Sequence, residues 1–319
     1  MTLIAVALVG VAFAFAWSMG AHYTGACMGM PYAAGTIRLW PALALMAVLT
    51  LVGATFLSHG VLATVGHGIV GAPRIGPGAA LAIVASAFAL TTLFNVLRVP
   101  SSTIQILVFA AAGVGSALGL PIRWDTIGRL VVLWAIAPLA TLILGFVFTH
   151  VLDRLRWFQD RGERIAPVAY ALVAVGGVAS LAMGANDVAN ATAVFLTTHL
   201  FSVFAAALVG GLGLALGVLT WGKPLLERVA FDVVKMDLTM ATAAQGVQAI
   251  VVLAAVGFGY FTSMNQALIG AMAGAGLARG RDTVQWPVVK GILKGWLVGP
   301  AAGLVIGYIA ALAVGAIGG

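Results

Sequence analysis

The chain has 319 residues, of which 62% are hydrophobic and 8% charged, and its mean hydropathy is +1.11. Soluble domains carry about 25% charged residues, so the composition excludes a soluble globular domain and specifies an integral membrane protein. The net charge of +7 does not indicate nucleic acid. The basic residues punctuate apolar segments, which assigns them to loops that fix orientation and meet lipid headgroups. The single cysteine, Cys27, rules out an internal disulfide and reads as a small packing residue.

In chain order, the first 19 residues are apolar but lack a basic leader, and read as a first membrane segment rather than a cleaved signal. Stretches without Asp, Glu, Lys or Arg follow at 39–73, 75–97, 99–122, 130–152, 165–186, 188–222, 238–278 and 295–319. About 20 apolar residues cross a bilayer as a helix. The longer stretches therefore hold two crossings or a helical hairpin, and the total is about 10–12 membrane segments. The runs are continuous rather than alternating, which excludes barrel strands. His59, His67, His150 and His199 sit near segment ends and are expected at the interface.

The most polar interval, His150–Ala166, holds four Arg and three acids near the midpoint. It divides the chain into a first transmembrane repeat, 1–150, a polar linker, 151–165, and a second repeat, 166–319. This linker and the basic stretch Lys223–Asp237 are expected on the cytoplasmic side. Three blocks support a duplication. Gly20-Ala21-His22-Tyr23-Thr24-Gly25-Ala26 answers Gly184-Ala185-Asn186-Asp187-Val188-Ala189-Asn190 at an offset of 164. Ser101-Ser102-Thr103-Ile104-Gln105 answers Thr262-Ser263-Met264-Asn265-Gln266 at 161, and Trp124, Trp134, Pro138 and Gly145 answer Trp286, Trp296, Pro300 and Gly307 at 162. Duplicated halves with interrupted apolar segments point to a secondary transporter with a midplane site. Inverted repeats require an odd number of crossings per half.

Asp187 is the one charged residue between Arg164 and Lys223. An ionisable group at membrane depth is expensive and marks function. Asn186 and Asn190 share a helix face. If the helix breaks at Gly184, the carboxylate, the amides and freed carbonyls converge into an oxygen set suited to Na⁺, while freed N–H groups suit an anion. The alternative is an interhelical polar clamp, which explains the Asn residues better than the carboxylate. Ser101, Ser102 and Thr103 follow Pro100, and Ser263 and Asn265 lie in the matching block. Two such helix starts facing each other present N–H and O–H donors to an oxyanion, although capping alone would also account for the hydroxyls. His22 and Tyr23 stand in the places of Asn186 and Asp187; His22 is either a proton-coupling group or a neutral hydrogen-bonded side chain. No Walker A loop, Cys–His metal spacing or nucleophile elbow is present. The sequence therefore suggests no enzyme and no cofactor, and transport has to draw on an ion gradient or on the substrate's own. A channel-like or structural membrane protein, with the polar motif as packing glue, remains the rival reading.

The Gly184–Ala191 stretch resembles the signature of the inorganic phosphate transporter family. Pro100-Ser101-Ser102-Thr103 and Thr262-Ser263-Met264-Asn265-Gln266 resemble its Pro-x-Ser-Thr repeats, and Trp134/Pro138 and Trp296/Pro300 also fit. The resemblance implies an all-α fold of inverted repeats in the cell membrane that carries phosphate with Na⁺ or H⁺, compatible with a homodimer. It implies that Asn186, Asp187 and Asn190 bind substrate and cation, and that Ser101, Ser102, Thr103, Ser263 and Asn265 are hairpin contacts, with Gln105, Gln266 and Thr24 beside them. Na⁺ would sit at Asn186, Asp187 and Asn190; His22 and Tyr23 would take part in coupling. The first half departs from the family's Asn-Asp or His-Asp pair, and Met28–Gly35 resembles a divergent branch that includes sulfate permeases. The number of coupled cations and the anion are thus open. Phosphate at neutral pH can donate to a carboxylate and sulfate cannot, so Asp187 favours phosphate if it touches the anion and favours neither if it holds a cation.

Overall fold

The structure, a computed structural model, describes residues 2–62, 69–71, 75–155, 158, 165–232 and 236–318. Among these, helices of ten or more residues follow the apolar runs. They are α1 Leu3–His22, α2 Thr24–Ala33, α3 Leu39–Leu57, α4 Pro77–Val96, α5 Thr103–Ala117 and α6 Trp124–Asp153. The second half supplies α7 Ile165–Thr197, α8 Val203–Trp221, α9 Lys223–Asp232, α10 Leu238–Gly257, α11 Met264–Leu277 and α12 Trp286–Gly318. Eight spans are long and apolar enough to cross a membrane, with α1 and α2 together forming one of them. The chain is a multi-pass, all-helical membrane protein; among the described residues the one β feature is an isolated bridge, Val70–Ile122. His67 and most of the 151–165 linker lie outside the described residues, while His59, His150 and His199 are exposed.

Helix starts carry the expected chemistry. The Asp237 carboxylate accepts from the Met240 N–H at 2.8 Å, and the Ser263 hydroxyl from the Gln266 N–H at 3.4 Å. Pro77, which has no N–H to leave unpaired, opens α4. The polarity is inverted relative to a soluble protein. Leu139, Ile143, Leu297 and Val298 face outward, whereas Asn95, Asn186, Asp187, Asn190, Gln245 and Gln248 are buried.

Glycines set how the two halves interlock. A side chain at Gly20 would collide with the Leu214 carbonyl and one at Gly217 with that of Trp17, locking α1 to α8. Gly184 and Gly53 make the same pair between α7 and α3, against Thr50 and Leu181. Gly113 and Gly307 join α5 to α12, and their repeat mates Gly274 and Gly145 join α11 to α6. Every one of these close approaches runs from one half to the other, so the halves interleave. Small residues allow this because helix association in lipid relies on close backbone packing.

The segments before α4 and after α5 run side by side. The Gly71 N–H donates to Pro121 at 2.7 Å and the Arg123 N–H to Ile69 at 3.0 Å. That pairing closes the neck of a helical hairpin, α4–α5, whose tip at 97–102 lies at the far end. The α10–α11 pair is its repeat mate. The apolar runs 75–97 and 99–122, which look like two crossings in the sequence, are thus the arms of one hairpin.

Overpacking a tight contact costs about 1–3 kcal/mol or more. Gly184→Leu is therefore expected to abolish the monodisperse peak of detergent-purified protein in size-exclusion chromatography. Gly10→Leu, where nothing lies within 4 Å of an added Cβ, is expected to leave it intact.

Candidate functional site

The two hairpin tips bring the inner helices α5 and α11 start to start. The Asn265 side-chain amide donates to the Ser101 carbonyl at 2.8 Å, joining one tip to the other. The His22 and Asn186 positions then perform the same task in each half. Asn186 Nδ2 donates to the Thr262 carbonyl at 2.8 Å, and the Thr262 N–H donates back to Asn186 Oδ1 at 3.1 Å. His22 Nε2 accepts from the Ser101 N–H at 3.1 Å, and Nδ1 meets Asn95 Oδ1 at 2.6 Å. Asn95 Nδ2 donates to the Ser18 carbonyl at 2.8 Å. Its oxygen therefore faces the ring, which places the imidazole proton on Nδ1 and leaves the ring neutral. Both ring nitrogens are committed, and each side chain satisfies extended backbone that has no helical partner.

Asp187 Oδ1 accepts from Asn190 Nδ2 at 3.1 Å, and the same amide lies 3.3 Å from Thr103 Oγ1. The Tyr23 hydroxyl pairs with Thr103 Oγ1 at 2.7 Å, and its ring interacts edge-on with His22 at 5.3 Å. The outer carboxylate oxygen, Asp187 Oδ2, and Asn190 Oδ1 are buried with no partner. This cluster gathers Tyr23, Thr103, Asp187 and Asn190 around two unsatisfied oxygens. The helix does not break at Gly184: α7 runs unbroken through the motif, because Gly184 serves the close approach to Thr50. The interruption falls instead in the first half, at Tyr23, between α1 and α2. Within α7 the motif therefore frees no backbone carbonyl.

A cavity of about 500 Å³ lies between the same helix starts and the last helix of each half. Gln105, Phe109, Trp134, Gln266, Trp296 and Pro300 are among its walls. Two pairs of repeat mates face it, Gln105 with Gln266 and Trp134 with Trp296. Both indole Nε1 donors and both glutamine Oε1 acceptors are buried and unpartnered. Asp187 is absent from its walls. Thr103 and Gln105 are two residues apart on α5, about 200° around the helix, so the first turn of α5 separates the two clusters.

Of the remaining sequence candidates, Ser102 Oγ is buried and unpartnered, and Ser263 caps α11. Thr24 turns away, donating to the Ala21 and Gly222 carbonyls. Sequence reasoning missed Asn95, a lone amide in an apolar helix, and treated Trp134 and Trp296 as repeat markers rather than as donors. It also passed over Gln245 and Gln248, which pair with each other at 2.8 Å while Gln245 Nε2 reaches the Ala26 carbonyl at 2.9 Å. Their spacing of three on an apolar helix was the available signal.

The repeat is broken at one of its two mirrored clusters. The mates of Asp187, Asn190 and Thr103 are Tyr23, Ala26 and Met264. A carboxylate, an amide and a hydroxyl face a phenol, a methyl and a thioether.

A bundle of interleaved repeats with paired hairpins and buried, unsatisfied polar atoms at its centre defines a membrane transporter. The chain belongs to the phosphate transporter family, whose match covers residues 19–307. It is 28% identical to the sulfate permease of Bacillus subtilis (strain 168) over 303 residues, 92% of this chain and 84% of that protein. A probable low-affinity inorganic phosphate transporter of Mycobacterium tuberculosis is 29% identical over 317 residues, 93% of this chain and 75% of the other. A solved sodium-dependent phosphate transporter shares the fold with a TM-score of 0.91 at 20% identity, covering 99% of this chain and 100% of that one.

Asn186→Ala would strand a buried N–H and a carbonyl at Thr262. Each stranded group costs about 1–3 kcal/mol, so thermal unfolding of the purified variant is expected several degrees below wild type. An unchanged transition would contradict the clamp.

Proposed function

We propose that the protein is a secondary-active transporter that carries inorganic phosphate across the cell membrane, driven by a Na⁺ gradient. Two inverted repeats, 1–150 and 166–319, would rock about the facing hairpin tips to give alternating access. The observation that carries this reading is the pair of orphaned polar sets on opposite faces of the α5 start. Asp187 Oδ2 and Asn190 Oδ1 are hard oxygen donors, buried without a hydrogen-bond partner among the described residues, which suits a small cation. The other face offers donors and acceptors together, which suits an anion that both accepts and donates hydrogen bonds.

That second property bears on the choice of anion. Sulfate carries no proton at neutral pH, whereas phosphate does and needs an acceptor for it. The Gln105 and Gln266 oxygens supply that acceptor. Asp187 lies outside the groove, so the two glutamines rather than Asp187 favour phosphate. Identities of 28% to the sulfate permease and 29% to the phosphate transporter do not separate the anions. With Tyr23, Ala26 and Met264 in the mirrored positions, one cation site serves each cycle rather than two.

Two outcomes are expected from uptake into proteoliposomes. Asp187→Asn drops Na⁺-driven phosphate accumulation to background while the protein remains folded by size-exclusion. Gln105→Leu with Gln266→Leu narrows the preference for phosphate over sulfate by about tenfold, the equivalent of one net hydrogen bond. Accumulation driven equally by a proton gradient without Na⁺, or a wild type that prefers sulfate, would refute the corresponding half of the proposal.

A further inference from the structure

The two hairpin tips have the same backbone but different residues at one point. In the second half the Gly259 N–H donates to the Val256 carbonyl and the Tyr260 N–H to Ala255, both at 2.9 Å. In the first half the Arg98 N–H donates to Asn95 at 3.1 Å and the Val99 N–H to Phe94 at 3.0 Å. The bonds coincide at an offset of 161, and both central residues are left-handed, with φ +71° at Gly259 and +54° at Arg98. Glycine is the residue that ends a helix this way without strain. An arginine there, like His199 after the end of α7, holds a left-handed conformation that L-residues disfavour. Strain of this kind concentrates at functional sites.

Arg98 is exposed and makes no ion pair among the described residues. It lines a cavity of about 360 Å³ together with Val99, Pro100, Arg228 from α9, and Pro287, Val288, Gly291 and Ile292 from α12. Two guanidinium groups thus border one cavity, and α12 carries Lys290 and Lys294 on the adjoining turns. The cavity leads towards the site on two sides. Its floor, Arg98-Val99-Pro100, runs straight into Ser101, which is held by His22 and Asn265. Along α12 its wall at 287–292 continues into the wall of the glutamine–tryptophan groove at 293–300.

We propose that the Arg98–Arg228 cavity is an entry site for a tetrahedral oxyanion, capturing the substrate from water before it passes to the groove between the hairpins. Guanidinium forks match such anions in geometry and charge, and a basic cleft with low-dielectric walls concentrates anions locally. The inference rests on the proposed oxyanion transport. The same chemistry would also hold a lipid headgroup phosphate, so lipid composition is a variable of the test.

The test compares concentration-dependent uptake of labelled phosphate and sulfate by wild type, Arg98→Gly and Arg98→Lys in phosphatidylcholine vesicles, with and without added anionic lipid. Arg98→Gly relieves the backbone, so its thermal unfolding should move upward while its KM for the carried anion rises about five- to tenfold. Arg98→Lys, which keeps the charge but loses the fork, should raise KM less than Arg98→Gly does. Raising ionic strength should raise the wild-type KM and leave that of Arg98→Gly almost unmoved. An unchanged KM in Arg98→Gly overturns the entry site, as does an effect that appears only with anionic lipid, since the cavity would then serve a headgroup. A wild type that carries neither anion overturns the proposed transport itself, and the entry site with it.

Discussion

A buried carboxylate with an unpartnered oxygen and, among the described residues, no ion-pair partner is the constraint on which the centre of this protein depends. Burial away from water makes the charged form of Asp187 costly. Its neighbours relieve this only in part: Asn190 donates to one oxygen, and the other has no partner. In the proposed cycle a cation would meet this cost on arrival and restore it on leaving, which would tie the energy of the bundle to the occupancy of one small site.

The duplicated fold supplies the geometry around this group and then departs from its own symmetry. His22 and Asn186 clamp the two tips in the same way, and the glycine contacts interlock the halves in mirrored pairs. Gln105 and Gln266, with Trp134 and Trp296, keep the groove symmetric. The cluster around Asp187 is not kept symmetric. Tyr23 fills the space opposite Asp187 and spends its hydroxyl on Thr103, so it occupies volume without offering a charge. A second asymmetry, Arg98 against Gly259, lies at the outer edge of the same hairpin tips.

Much of this was legible in the sequence for particular physical reasons. Asp187 stands out because charge is so sparse, and the repeat because rare residues such as Trp and Pro, with the hydroxyl-and-Gln blocks, recur at nearly constant spacing. The hairpins were not legible. An arm that turns back and one that continues across carry the same apolar run, and only the Val70–Ile122 pairing tells them apart. Gly184 illustrates the other limit. Glycine in an apolar helix permits either a break or a close approach, and the choice is made by Thr50 of another helix, which a linear reading does not contain. Thr24 failed for a similar reason: its hydroxyl is taken by Gly222, far along the chain. The separation of the two polar clusters by the first turn of α5 follows from helix geometry, but only once the neighbours of Thr103 and Gln105 are known.

The central claim is that cation and anion occupy opposite faces of that turn. Equilibrium binding of labelled phosphate to purified wild type and Asp187→Asn, each with and without Na⁺, tests it most directly. The account predicts that Na⁺ strengthens phosphate binding in the wild type, and that Asp187→Asn still binds phosphate but no longer responds to Na⁺. Loss of all phosphate binding in Asp187→Asn, with the protein folded, would make Asp187 an anion ligand and contradict the account.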